Sequence, residues 1–205
     1  MKFKVLNLPN ANVSSVLFWL KRCGFEGEVL ELCEDQIPAD SFVILPGVGS
    51  FDFVMELLVA NKMDKKLRDH VANSGFVLGI CLGMQILFES SSEGILDGLG
   101  LMKGKLTKLP HGKMNVPNVG WRTLENGKGS SRFSNEHFYF THSYCLLENE
   151  IASSVCELAL SLSNKKFLAF LREGNVFCTQ FHPEKSGKSG VHFLRNIVHE
   201  NASNS

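Results

Sequence analysis

A chain of 205 residues is long enough to bury about 70% of the surface its unfolded form exposes, and its length fits one domain over 1–205. Lys plus Arg and Asp plus Glu each number 21, so no basic excess marks a nucleic-acid binder and no acidic tail is present. No run reaches the roughly 18 apolar residues of a membrane span, and Pro9 soon interrupts the short apolar start MKFKVLNLPN, so a soluble, cytoplasmic protein is expected. FKVLNL reads as the first strand, and NVSSVLFWLKRCG as a helix with Asn12 as N-cap and Gly24 as its stop. EVLEL and SFVILP follow as strands. Residues 51–73 read as one or two helices, 76–80 as a strand and LGMQILFE as a helix. Near-continuous apolar strands separated by helices predict a mostly parallel sheet covered on both faces. The second half differs: GKLTKL, HFYFTHSYCLL, CELALSLSN, KKFLAFLREG and NVFCTQF read as successive strands before a final helix over 188–200. The expected class is α/β, a central mostly parallel sheet flanked by helices and carrying a mixed or antiparallel extension.

Six cysteines stand at 23, 33, 81, 145, 156 and 178, without a CxxC pair or zinc spacing, which suits reduced core residues. Cys81 is different. It lies between strand and helix, where Gly79 and Gly83 give G-x-C-x-G, the thiol counterpart of the tight G-x-S-x-G turn that projects a nucleophile outward. A helix starting at Leu82 would aim its free N–H groups at the sulfur, favouring the thiolate, and would offer the Leu82 N–H to a developing oxyanion. The competing reading is a small core cysteine in a glycine-flanked turn. A thiolate needs a base, and His182 stands in FHPEKSG, where Pro183 keeps it extended and the i, i+2 spacing sends His182 and Glu184 to one side. Glu184 can then orient the ring, although a solvent-facing turn would carry the same letters. His142 in YFTHSY is a rival base, whereas His70, His111, His137, His192 and His199 lack such context. The strand-loop FVILPGVGSFD brings glycines that let backbone approach a substrate, but Asp52 occupies the last position of a dinucleotide fingerprint, and GLGLMKGK misses the spacing of a phosphate loop.

Together, and in this chain order, LPGVGSF, GICLGMQ and FHPEKSG resemble the triad-type (class I) glutamine amidotransferases, and VPNVGW and YFTHSY are similar to further segments of the glutaminase subunits of imidazole glycerol phosphate synthases. The resemblance implies a single type-1 amidotransferase domain over 1–205, with Cys81 as nucleophile, His182 as base and acid and Glu184 as orienting carboxylate. It implies an oxyanion hole from the backbone of Val48, Gly49 and Leu82, and a glutamine cradle from Gln85, Glu93, His142, Ser143 and Tyr144. It further implies L-glutamine as substrate, no cofactor or metal, and a heterodimer with a (β/α)8-barrel cyclase subunit serving L-histidine biosynthesis. Asn12, Asn118 and Trp121 fall on segments that face that partner in the family. Two segments depart from the family pattern. Asn7-Leu8-Pro9-Asn10-Ala11-Asn12 replaces Asp-Tyr-Gly-x-Gly-Asn, and Asn118-Val119-Gly120-Trp121-Arg122 replaces His-x-Gly-Trp-Asn. They leave open a paralogous glutaminase feeding another synthase, such as a surface-polysaccharide sugar amidotransferase. Of the other readings, Cys81, His182 and Glu184 argue against a non-catalytic binding module, and Gln85 and Glu93 suit a free amino acid better than a peptidase substrate.

Overall fold

The computed structural model describes residues 2–109, 116–125, 133, 135–147, 156–160 and 166–203. The first half alternates as expected: Lys2–Leu6 (β1), Val13–Cys23 (α1), Gly27–Leu30 (β2), Ser41–Leu45 (β3), Phe51–Ala60 (α2), Met63–Ala72 (α3), Phe76–Ile80 (β4) and Leu82–Gln85 (α4). Asn12 caps α1 by accepting the Ser15 N–H at 3.0 Å, and Gly24 closes it in the left-handed region at φ 88°, a conformation that suits glycine at a helix end. Then come Ser90–Ser91 (β5), Lys105–Lys108 (β6), Asn118–Glu125 (β7), His137–His142 (β8), Tyr144–Cys145 (β9), Cys156–Leu160 (β10), Lys166–Glu173 (β11) and Val176–Thr179 (β12). A 3-10 turn at Pro183–Lys185 leads into Gly187–Ser203 (α5).

Nine strands form one sheet in the order β2-β1-β3-β4-β12-β11-β10-β7-β8. The first five run parallel and the rest pair antiparallel, while β5, β6 and β9 make a small second sheet. Because strand side chains alternate in direction, β3 feeds both faces: Val43 and Leu45 join a core under α2 and α3, and Phe42 and Ile44 join one under α1 and α5. Trp19 of α1 ties the second layer together by donating its indole N–H to the Gly190 carbonyl at 3.0 Å.

Three expectations change. The helix read over LGMQILFE stops at Gln85, because the Ile86, Leu87 and Phe88 carbonyls accept from Leu99, Leu101, Met102 and Gly100 of the following segment rather than from a further helical turn. The strand read over 137–147 breaks at Ser143, whose carbonyl turns to the Leu109 N–H at 2.8 Å, so β8 and β9 join different sheets. EVLEL narrows to a strand ending at Leu30. Among the described residues no helix is long and apolar enough to cross a membrane.

Candidate active site

β3, β4 and β12 are neighbours in the parallel part of the sheet, so the segments leaving their carboxyl ends meet at one place, where open α/β sheets bind ligands. Those segments are 46–50, Cys81–Leu82 and 180–185. Cys81 takes φ 54° and ψ −108°, a strained setting for a side-chain-bearing residue and the geometry of a nucleophile elbow. The surrounding glycines make it fit. A Cβ at Gly83 would overlap the Leu45 carbonyl oxygen, and one at Gly47 would stand 2.7 Å from the Gly83 nitrogen.

The Cys81 thiol lies 3.6 Å from the Thr141 carbonyl oxygen, which can accept a hydrogen bond from the S–H. On another side the Gln180 side-chain N–H points to the sulfur at 3.8 Å. His182 is buried, and its Nδ1 bonds Glu184 Oε1 at 2.8 Å. Its main chain is held too: the His182 N–H donates to Tyr139 O at 2.9 Å, and the His182 carbonyl accepts from Ser186 Oγ at 2.6 Å. The His182 Nε2 has no hydrogen-bond partner of its own. Burial opposes charge on this ring, but the adjacent Cys81 sulfur and Glu184 carboxylate outweigh it and push its pKa up to about 10. An imidazolium there favours an ionised sulfur beside it. α4 is a single turn and supplies less dipole at its N-terminus than a long helix would.

Outside the sulfur, a cavity of about 280 Å³ is lined by Val48, Gly49, Leu82, Gln85, Glu93, His142, Ser143 and Tyr144, together with Cys81, Pro117 and Thr141. The expected cradle and oxyanion residues thus share one wall system, while His182 and Glu184 sit behind the sulfur. Leu82 carries the first N–H of α4, which has no intrahelical acceptor. Glu93 is anchored by the Phe51 N–H at 3.3 Å; burial and nearby Asp52 push its carboxyl up, so a cationic group in the cavity would gain by pairing with it.

His142 is corrected as a rival base. Its Nδ1 meets the Tyr144 carbonyl at 2.9 Å, so that nitrogen carries the proton, and Nε2 accepts from the Asn118 amide at 2.9 Å. Burial, with His182 and Arg122 adding to it, drives its pKa down to about 4, leaving a neutral ring with both nitrogens spent. Gln85 donates to the same Tyr144 carbonyl at 3.1 Å, so the cradle is one network. Asn118 is 1% exposed and is engaged by His142 and by Arg122 Nη2 at 2.7 Å; its side chain therefore faces inward rather than toward a partner. On the opposite face of β7, Val119 and Trp121 are about half exposed, with Trp121 edge-on to Tyr139. Asn12 serves as the cap of α1. His70 is a buried structural histidine on the Ser41 carbonyl, and His192 pairs with Glu136. His111 lies outside the described residues.

Sequence reasoning missed Gln180, Thr141 and Asp52. Gln180 had a signal, since it stands two residues before His182 on the same strand alternation. Asp52 had none: its carboxylate accepts the Ile95 and Leu96 N–H groups at 3.0 and 3.1 Å, pinning the Glu93 loop to α2 across more than 40 residues of chain.

Residues 10–201 match the family model described as glutamine amidotransferase class-I. The chain is 38% identical over 199 residues to the imidazole glycerol phosphate synthase subunit HisH of Pasteurella multocida, covering 95% of this chain and 96% of that protein. It is 36% identical to the chloroplastic imidazole glycerol phosphate synthase hisHF of Arabidopsis thaliana, covering 95% of this chain and 33% of that longer one. Among solved structures, PurLQS from Thermotoga maritima superposes with a TM-score of 0.70 at 21% identity, covering 97% of this chain and 98% of that one.

Proposed function

The chain belongs to the class-I glutamine amidotransferases, and from that premise we propose that it is the glutaminase subunit of an imidazole glycerol phosphate synthase, releasing ammonia from L-glutamine for L-histidine biosynthesis. The observation that carries the reading is the meeting of Cys81 with the His182–Glu184 pair at adjacent strand ends, beside a small cavity that ends in Glu93.

In this mechanism the Cys81 thiolate adds to the carboxamide carbon of glutamine, and the carbonyl electrons move to oxygen. The N–H groups of Leu82 and of the Val48–Gly49 segment receive that oxyanion; one such donor is worth about 3 kcal/mol. As the intermediate collapses, the leaving nitrogen takes a proton from His182 Nε2 and departs as ammonia, leaving a thioester. Water then attacks the thioester and gives its proton to His182. The second oxyanion collapses to expel the thiolate and glutamate. Glu184 keeps the ring turned and its charge supported throughout. Glu93 pairs with the glutamine ammonium, and Gln85 with the 142–144 segment holds the rest of the amino acid.

Ammonia is mostly protonated in neutral water, and ammonium is no nucleophile, so delivery needs a dry path into an acceptor enzyme. The proposed acceptor is a (β/α)8-barrel cyclase subunit bound as a heterodimer, docking over the exposed Val119 and Trp121. The two departures at 118 and 122 are paired with each other through the Arg122–Asn118 bond. Steady-state glutamine turnover, measured on the chain alone and with the cyclase subunit and its ligand, tests the reading. Glutamate release that rises on adding both supports it; no release under either condition overturns it.

A further inference from the structure

Among the described residues five buried side-chain polar atoms have no hydrogen-bond partner, and three of them, Gln180 Oε1, His182 Nε2 and Glu184 Oε2, lie on the segment that faces Cys81. Unsatisfied buried polar groups gather where chemistry needs them. Gln180 is the one without a role so far. Its side chain is fully buried, its main chain is fixed by donating to the Ala169 carbonyl at 2.9 Å, and its amide nitrogen lies 3.8 Å from the Cys81 sulfur. We propose that Gln180 donates its side-chain N–H to the Cys81 sulfur and so holds the thiolate that attacks glutamine.

The proposal rests on Cys81 being the nucleophile. The sulfur has two kinds of neighbour. The Thr141 carbonyl at 3.6 Å suits the protonated thiol, because it can only accept. The Gln180 N–H and the His182 ring suit the ionised sulfur, because they donate. An amide set with its oxygen toward the sulfur would repel a thiolate, and would gain only a weak S–H bond from a thiol. With nitrogen toward the sulfur, Oε1 is left without a partner in a dry site. A donor at that place gains most from an ionised sulfur, since hydrogen bonds to charged acceptors are about twice as strong as neutral ones. Gln180 therefore complements His182: the ring supplies charge and the proton, and the amide supplies a fixed donor that never leaves with the ammonia.

The test reads sulfur ionisation rather than turnover. Cys81 is alkylated with iodoacetamide across a pH series and quantified by peptide mass spectrometry in the wild type, Gln180→Met and Gln180→Asn. Asn keeps a buried amide but withdraws it by one carbon. The other titratable groups around the sulfur, His182 with Glu184 behind it, His142, Tyr144 and Glu93, are the same in all three, and the midpoint belongs to the Cys81–His182 pair. Both variants are expected to move that midpoint up by about one pH unit, a tenfold smaller thiolate fraction below it. Folded variants whose profiles superpose on the wild type overturn the proposal. Should the substitutions prevent folding, the Gln180 side-chain amide resonance of the wild-type protein is expected to shift as Cys81 titrates and to stay fixed in Cys81→Ala; an amide indifferent to pH in both overturns it. A wild-type Cys81 no more reactive than the exposed Cys33 would instead remove the nucleophile assignment itself.

Discussion

The sulfur side of the cavity is closely packed. A Cβ at Gly83 would overlap Leu45, one at Gly190 would overlap the Pro183 carbonyl, and the His182 main chain is bonded in both directions. Across the cavity, the loop between β3 and α2 is packed against Gly83 at Gly47 but open at its tip: Gly49 sits at φ 122° with open space around the position of a side chain, and Val48 is 37% exposed. The proposed nucleophile and base, with the Leu82 N–H, thus sit where packing is tight, while the other proposed oxyanion donors, at Val48 and Gly49, sit at an open loop tip. The tight wall should answer to substitution, and the loose wall to a partner.

The largest effect expected is on the tight wall. Cys81→Ser lowers glutamine turnover on the order of 10⁴-fold or more with thermal unfolding unchanged, because the reacting sulfur is lost and the fold is not. Glutamate release sets the first quantity and calorimetry the second; residual activity within tenfold of wild type would dissolve the contrast between the walls. On the same wall His182→Ala should be about a hundredfold more damaging than Glu184→Ala, since one moves protons and the other only orients the ring. Equal losses would mean that Glu184 does more than hold the imidazole.

The loose wall gives the next effect. If the Val48–Gly49 peptide turns its N–H away from the cavity until a partner binds, docking of the cyclase subunit with its ligand should raise glutamine turnover about a hundredfold, the rate equivalent of about 3 kcal/mol for one restored donor. Full activity in the isolated chain would show that this loop needs no partner to complete the hole.

How far these two walls were legible beforehand follows from distance along the chain. The Cys81 corner could be read because Gly79, Cys81 and Gly83 are local, and the His182–Glu184 pair because Pro183 fixes the spacing between them. The helix after Cys81 was overextended because its later carbonyls are claimed by residues 99–102, a tertiary event that a propensity argument does not contain. The resemblance put Asn118 on a partner-facing segment but carried no register, and so no direction for its side chain. In β7 it alternates with exposed Val119 and Trp121, and the reach of Arg122 and His142 to it is a fact of side-chain geometry. Asp52 is invisible for the same reason, since its partners lie more than 40 positions away.

A last effect, on stability rather than rate, comes from the His142 side of the cavity. Unfolded, the His142 ring protonates near its ordinary value of 6.5, and folded only near 4. Between those values the unfolded chain binds the extra proton, so stability is fully present above about 6.5 and is lost as pH falls toward 4, by at most about 1.4 kcal/mol per pH unit. Buried His70, also shifted down by burial, adds to the fall with the same sign. Denaturant unfolding at stepped pH should show the slope flattening in His142→Gln; an unchanged slope would mean the ring is not held neutral.

The most direct test of the Cys81-centred glutaminase is covalent. A chloroketone analogue of glutamine is incubated with the wild-type protein, with and without excess L-glutamine, and the modified peptide is mapped by mass spectrometry. The expected result is a single adduct on Cys81 that glutamine suppresses and that His182→Ala slows. Modification of Cys33 or another thiol instead, or labelling of Cys81 that glutamine does not suppress, would contradict it.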